Sequence, residues 1–87
     1  MNNLDSPEIT KLGADLKLQR KRLGVTAEIA AKASGISRVT LHRIESGSAG
    51  ASIGAVYQVA KALGLELQLC NKNAHREIVL DADDVLP

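Results

Sequence analysis

The fold of this chain is determined mainly by residues 24–47, GVTAEIAAKASGISRVTLHRIESG. Thr26 can cap the free N–H groups of a helix, and the alanine-rich segment after it predicts a two-turn helix from Ala27 to Ala33. A glycine-containing break follows, and Ser37 is the cap of a second helix predicted over Arg38 to Glu45. The stretch therefore predicts two short helices joined by a tight turn.

Cap residues and apolar spacing predict two further helices on either side of this stretch. The first helix is predicted to begin at Ser6 and Pro7, where proline's missing N–H costs nothing. Another is predicted from Ser52 to Leu63, with a broad apolar face that includes Ile53 and Tyr57. The first helix is expected to bury a stripe of residues at helical spacing: Ile9, Leu12, Leu16 and Leu23.

The period changes after the last helix. Leu65, Leu67 and Leu69 alternate with polar residues or cysteine, which predicts a β-strand with the leucines on one face. Residues 77–80 form a possible second strand. The predicted organisation is a helical domain over residues 6–64, a strand segment over 65–80 and an acidic tail over 81–87.

Composition excludes several classes of protein. The chain has 87 residues, which is room for one domain, and its core must be aliphatic because Tyr57 is the only aromatic residue. One cysteine and two isolated histidines give no disulfide framework and no metal site, and we expect no cofactor. No catalytic constellation is evident, so we expect no enzyme. We also expect no membrane span and, from the polar N-terminus, a cytoplasmic protein.

Charge is distributed unevenly, although the formal net charge is only +1. Positions 11–43 carry eight basic and two acidic residues, a local balance of +6, whereas positions 77–87 carry four acidic residues and no lysine or arginine, a balance of −4. This asymmetry predicts a basic face for a polyanion and an acidic tail. Simple solvation of helix faces is the alternative interpretation.

The two short helices have the spacing of a helix-turn-helix, in which the second helix exposes donor-bearing side chains to the major groove. Residues 24–47, with SIGAVYQVAKALGLEL at 52–67, resemble the phage-repressor type (Xre/Cro) of helix-turn-helix family. The resemblance spans about residues 12–65 and departs from the family at Ala27, where a phosphate-contacting glutamine is usual, and at Ala30 and Ala51. The matching residues are Thr26, Ala31, Gly35, Ser37, Arg38, Thr40, Arg43, Ile44, Glu45 and Gly47.

The resemblance implies a mainly α fold of four to five helices and a DNA interface on the second short helix. Arg38, Val39 and Arg43 are the implied base readers, since arginine can bond guanine at two acceptors and valine can contact a thymine methyl. A solvated helix face is the alternative for the two arginines. Arg20 and Glu45 match a pair that forms an internal ion pair in this family. The remaining expected DNA contacts are Lys17, Arg22, Thr26, Ser37, Thr40 and His42.

The segment ALGLELQLCNKNA at residues 62–74 resembles that of HipB-type antitoxins, in which a strand pairs with its copy in a dimer. Leu65, Leu67 and Leu69 would then be dimerisation residues, and pairing would satisfy the free edge of a lone strand. The resemblance implies a homodimeric repressor on double-stranded DNA with a palindromic operator, and a HipA-like kinase toxin as a possible partner. The alternatives are a stand-alone Xre-type regulator and a protein-interaction module that has lost DNA binding.

Overall fold

The structure, a computed structural model, describes residues 6–71 and contains four helices in that range. They are α1 (Pro7–Arg22), α2 (Ala27–Ser34), α3 (Arg38–Glu45) and α4 (Ile53–Ala62). The expected mainly α architecture is confirmed, and residues 6–71 include no strand. The possible strand at residues 77–80 and the acidic tail at 81–87 lie outside the described residues.

Each helix begins at its predicted cap. The side-chain oxygens of Ser6, Thr26, Ser37 and Ser52 accept hydrogen bonds from the backbone N–H three residues later, at 3.2, 3.2, 3.0 and 3.0 Å. These bonds satisfy donors that have no partner within the helix. Local sequence therefore determines where each helix starts.

The turn between α2 and α3 depends on Gly35. This residue has a φ of 73°, in the left-handed region that side chains disfavour. Its N–H donates to the carbonyl of Lys32 at 3.2 Å, and the N–H of Ile36 donates to the carbonyl of Ala31 at 3.0 Å. The turn thus ends α2 by satisfying its last carbonyls and redirects the chain into α3.

The core is built from small and aliphatic side chains contributed by all four helices and the residue after α4. In α1 the buried face is Gly13, Leu16 and Arg20, so the predicted leucine stripe is wrong in part: Leu12 and Leu23 are 37% and 51% exposed. The reason is that a glycine and an arginine occupy the inward positions. The core members are Leu16, Ala30, Ala31, Leu41, Ile44, Val56, Val59, Ala60 and Leu63.

The broad apolar face expected for α4 is also narrower than predicted. Its buried residues are Val56, Val59 and Ala60, which follow one another at helical spacing. Ile53, in the first turn, is 77% exposed and Tyr57 is 50% exposed. The sole aromatic residue of the chain therefore lies half-exposed at the surface of the domain.

Helix α1 approaches the C-terminal turn of α3 very closely at Gly13. A methyl group added to Gly13 would overlap the carbonyl oxygen of Ile44 and lie 2.9 Å from that of Glu45. Only glycine permits this contact without displacing the backbone. The contact fixes the distance between α1 and the helix that carries the candidate interface.

Residues 65–71 continue from α4 without regular secondary structure. The N–H of Leu65 donates to the carbonyl of Ala60 at 2.8 Å, and Leu65 and Leu67 pack partly buried against the core. Leu69 is fully exposed. Within the described part of the chain, residues 66–70 make no backbone–backbone hydrogen bond, and pairing of this segment with a second copy stays a prediction.

Candidate nucleic-acid interface

The outer face of α3 is a surface of basic and apolar side chains. Leu41 and Ile44 are buried, so the residues between them must point outward because a helix repeats every 3.6 residues. Thr40 is half-buried at the edge. Four residues on this face are exposed: Arg38, Val39, His42 and Arg43.

An ion pair anchors α3 to α1. Arg20 Nε donates to Glu45 Oε2 at 2.7 Å, and Nη2 donates to Oε1 at 3.1 Å. The third donor, Nη1, bonds the carbonyl of Val25 at 2.9 Å. The two side chains are only 10% and 7% exposed, and the structure thus brings together the two residues that the resemblance implied as an internal pair.

Hydrogen bonding to Glu45, helped by its negative charge, raises the pKa of Arg20 above its ordinary value, and burial opposes this only in part. The guanidinium therefore stays charged. Because the pair is bidentate, it fixes the orientation of α3 as well as its distance from α1. Arg20 and Glu45 position the candidate interface and are not part of its exposed surface.

A groove of about 530 Å³ lies where α1, α2 and α3 meet beside this face. Ala27 contributes only a methyl group from α2. Since the charges of Arg20 and Glu45 compensate each other, the unpaired charges on the wall are those of Lys17 and Arg38. The groove can therefore accept an anion. Its lining residues are Lys17, Arg20, Ala27, Arg38, Val39, Leu41, His42 and Glu45.

Two of the expected DNA-contacting residues have structural roles. Thr26 and Ser37 cap α2 and α3, and the Ser37 hydroxyl also donates to Thr40 Oγ1 at 3.0 Å. Arg22 and Arg43 are exposed but do not line the groove. The expected contacts are therefore divided between the groove, the outer face of α3 and the end of α1.

Two contributors to the site are not identified by the sequence analysis. The Val25 carbonyl completes the partners of Arg20, and Gly13 permits the approach of α1. A glycine inside a strongly predicted helix was a usable signal of close packing. The backbone carbonyl offered no such signal, because any residue could have supplied it.

Over residues 6–71, His, Cys, Asp and Glu form no group of three placed to hold a metal ion. The helices in that range are each too short or too polar to span a membrane.

Comparison with protein families identifies this part of the chain. A family model described as a helix-turn-helix domain matches residues 11–70, which include α2, α3, α4 and most of α1. No curated protein matches the sequence significantly. The matched residues include the whole anchored α3 and every residue that lines the groove.

Proposed function

The chain belongs to the helix-turn-helix domain family, a membership that indicates a DNA-binding regulator, and we propose that it is a homodimeric, sequence-specific repressor. The observation that carries this proposal is the outer face of α3, where Val39 is 64% exposed beside two exposed arginines. The apolar side chain of an exposed valine makes no hydrogen bond with water, whereas it can contact a thymine methyl in the major groove. Arg38 and Arg43 can bond guanine on either side of it.

Backbone contacts complete the proposed interface. Lys17 lies on the wall of the groove beside α3, and Arg22 is exposed at the end of α1. Positive charges in these places would bind phosphates and release counterions, which stabilises binding without regard to sequence. Thr26, Ser37 and Thr40, at or near the starts of α2 and α3, are proposed to lie near the phosphates as well.

Dimerisation is proposed to use the segment after α4. Leu69 is fully exposed, and the backbone of residues 66–70 has no partner in the rest of the described chain. A second copy related by a two-fold axis would pair with this edge and cover Leu69, next to the partly buried Leu65 and Leu67. Two copies of α3 held about 34 Å apart would then read a palindromic operator.

The narrower proposal is an antitoxin of the HipB type that represses its own operon. It is supported by the sequence resemblance at residues 62–74 and by the full exposure of Leu69, which a paired strand would cover. The corresponding partner would be a HipA-like kinase toxin. Co-purification of the chain with the product of a neighbouring kinase-like gene would support it, whereas a stand-alone regulator would have no such partner.

A salt-titrated binding assay on mixed genomic fragments tests DNA recognition. A sequence-specific repressor enriches a small set of fragments, and its affinity falls steeply as salt concentration rises. A chain that binds every fragment equally is not sequence-specific. A chain that binds none is the alternative protein-interaction module, for which Ala27 and the uncharged loop SGSAGA at residues 46–51 are the favouring features.

A further inference from the structure

We propose that His42 couples DNA binding to protonation. Its charged ring completes a binding site for one backbone phosphate in the groove, so the affinity for DNA rises as pH falls. This inference rests on the proposed DNA binding and adds a ligand group, a phosphodiester, and a dependence on pH. The resemblance placed His42 near the DNA but assigned it no charge state.

The position of the ring supports this role. His42 is exposed on α3, one turn after Arg38, and it lines the groove together with Lys17 from α1. Its Nε2 lies 3.5 Å from the hydroxyl oxygen of Ser46. Nδ1 has no hydrogen-bond partner among residues 6–71. A protonated ring has N–H donors at both nitrogens, so one can be used toward Ser46 while the other faces an incoming phosphate oxygen.

The side chains around the ring carry an excess of positive charge that a phosphate would neutralise. Helix α1 contributes Lys17 and Arg20, and α3 contributes Arg38 and Glu45, whereas α2 contributes only the uncharged Ala27. Arg20 and Glu45 compensate each other through their bidentate pair. Lys17 and Arg38 therefore give the groove a net positive charge, which a bound phosphate would compensate.

The direction of the pH dependence follows from the negative charge of the phosphate. A phosphate bound beside the ring favours the charged form of the imidazole, so DNA binding takes up a proton. Imidazole is the only type of side chain in the groove that ordinarily changes charge between about pH 5 and 8. The protein should thus bind DNA more tightly at the acidic end of this range.

The test is a fluorescence anisotropy titration of the full chain with a labelled duplex of random sequence at low salt. Affinity at about pH 5.5 should exceed that at about pH 8 by roughly tenfold, as expected for one added charge-assisted hydrogen bond to a phosphate. The logarithmic salt slope should be steeper by about 0.9 at the lower pH, as for one added phosphate contact. A random duplex is sufficient because phosphate binding does not depend on base sequence.

Three variants identify the responsible group. His42→Gln should bind with the same affinity at both pH values, and His42→Lys should bind at about pH 8 as tightly as the unmodified chain does at about pH 5.5. His75→Gln is the matched control, since His75 is the only other histidine, and it should retain the full pH dependence. Because His42 is exposed, melting curves of its variants should match that of the unmodified chain.

Two results would overturn the inference while leaving the proposed function intact. In the first, the unmodified chain binds DNA equally well at both pH values. In the second, His42→Gln keeps the dependence that the unmodified chain shows. Absence of DNA binding at any pH would instead remove the proposed function, and the inference with it.

Discussion

Replacement of Glu45 by Gln breaks the ion pair that holds α3 against α1. Both side chains are nearly buried, at 10% and 7% exposed, so Arg20 would keep its charge in a site that water barely reaches. Removing one partner of a buried pair costs about 3 to 5 kcal/mol. The glutamine oxygen can still accept one hydrogen bond, and Arg20 retains the Val25 carbonyl at 2.9 Å. We therefore expect Glu45→Gln to lower the free energy of unfolding by about 3 kcal/mol, the lower end of this range.

Thermal denaturation followed by far-ultraviolet circular dichroism measures this cost. In a domain of this size, 1 kcal/mol shifts the midpoint by roughly 4 to 8 °C, so Glu45→Gln should lower the Tm by roughly 12 to 24 °C. The arginine's contribution should persist through the neutral range: its pKa is raised by Glu45, so the associated stability is complete below the unfolded pKa and is lost only in strong alkali.

Asp15→Asn supplies the matched control. Lys11 and Asp15 form an ion pair of the same 2.7 Å length within α1, but their side chains are 75% and 55% exposed. Breaking an exposed pair of this kind costs less than about 0.5 kcal/mol, which is a shift below roughly 4 °C. A Glu45→Gln midpoint that falls no further than the Asp15→Asn midpoint would refute the anchoring role of the buried pair.

Three further predictions concern packing, phosphate binding and dimerisation. Gly13→Ala should destabilise the fold by roughly 1 to 3 kcal/mol, because its methyl overlaps the Ile44 carbonyl. Gly54→Ala on α4, where an added methyl would meet the Ser52 hydroxyl oxygen at an ordinary contact distance of 4.0 Å, should instead stabilise it by up to about 1 kcal/mol; equal urea midpoints for the two variants would contradict this. Lys17→Ala should weaken binding to all duplexes alike and reduce the salt slope by about 0.9, and an unchanged slope would remove Lys17 from the interface. In sedimentation, Leu69→Glu should run as a monomer, whereas Gln68→Glu, at a position that is also exposed, should stay a dimer. A Leu69→Glu protein that stays dimeric would place dimerisation elsewhere.

The starts of the helices were predictable because their causes are local. Ser6, Thr26, Ser37 and Ser52 each bond a backbone N–H three residues away, so sequence neighbours carry all the information. The turn at Gly35 is local for the same reason. The mainly α architecture and the helix-turn-helix spacing follow from these short-range signals.

The inward face of α1 was not predictable from apolar spacing, because two of its buried residues are not large apolar residues. Gly13 is buried to admit the α3 backbone, and Arg20 is buried to pair with Glu45. Both depend on a partner more than twenty residues away in sequence. The spacing of the leucines alone therefore predicts Leu12 and Leu23 to be more buried than they are.

The candidate site also has one part that was predictable from the sequence and one part that was not. The outward direction of Arg38, Val39, His42 and Arg43 follows from helical periodicity once Leu41 and Ile44 are assigned to the core. The groove beside them does not, since its walls come from α1, α2 and α3 together. Its shape depends on tertiary packing, which single-helix patterns do not contain.

Recognition of base sequence by α3 can be tested with the variant Arg38→Ala on two DNA substrates. Affinity is measured for a duplex enriched by the unmodified chain and for a duplex of random sequence at the same salt concentration. A bidentate contact to guanine predicts a loss of about 1 to 3 kcal/mol, roughly 5- to 150-fold, on the enriched duplex and a much smaller loss on the random one. An equal loss on both duplexes would show that Arg38 contacts only phosphate and would contradict the claim.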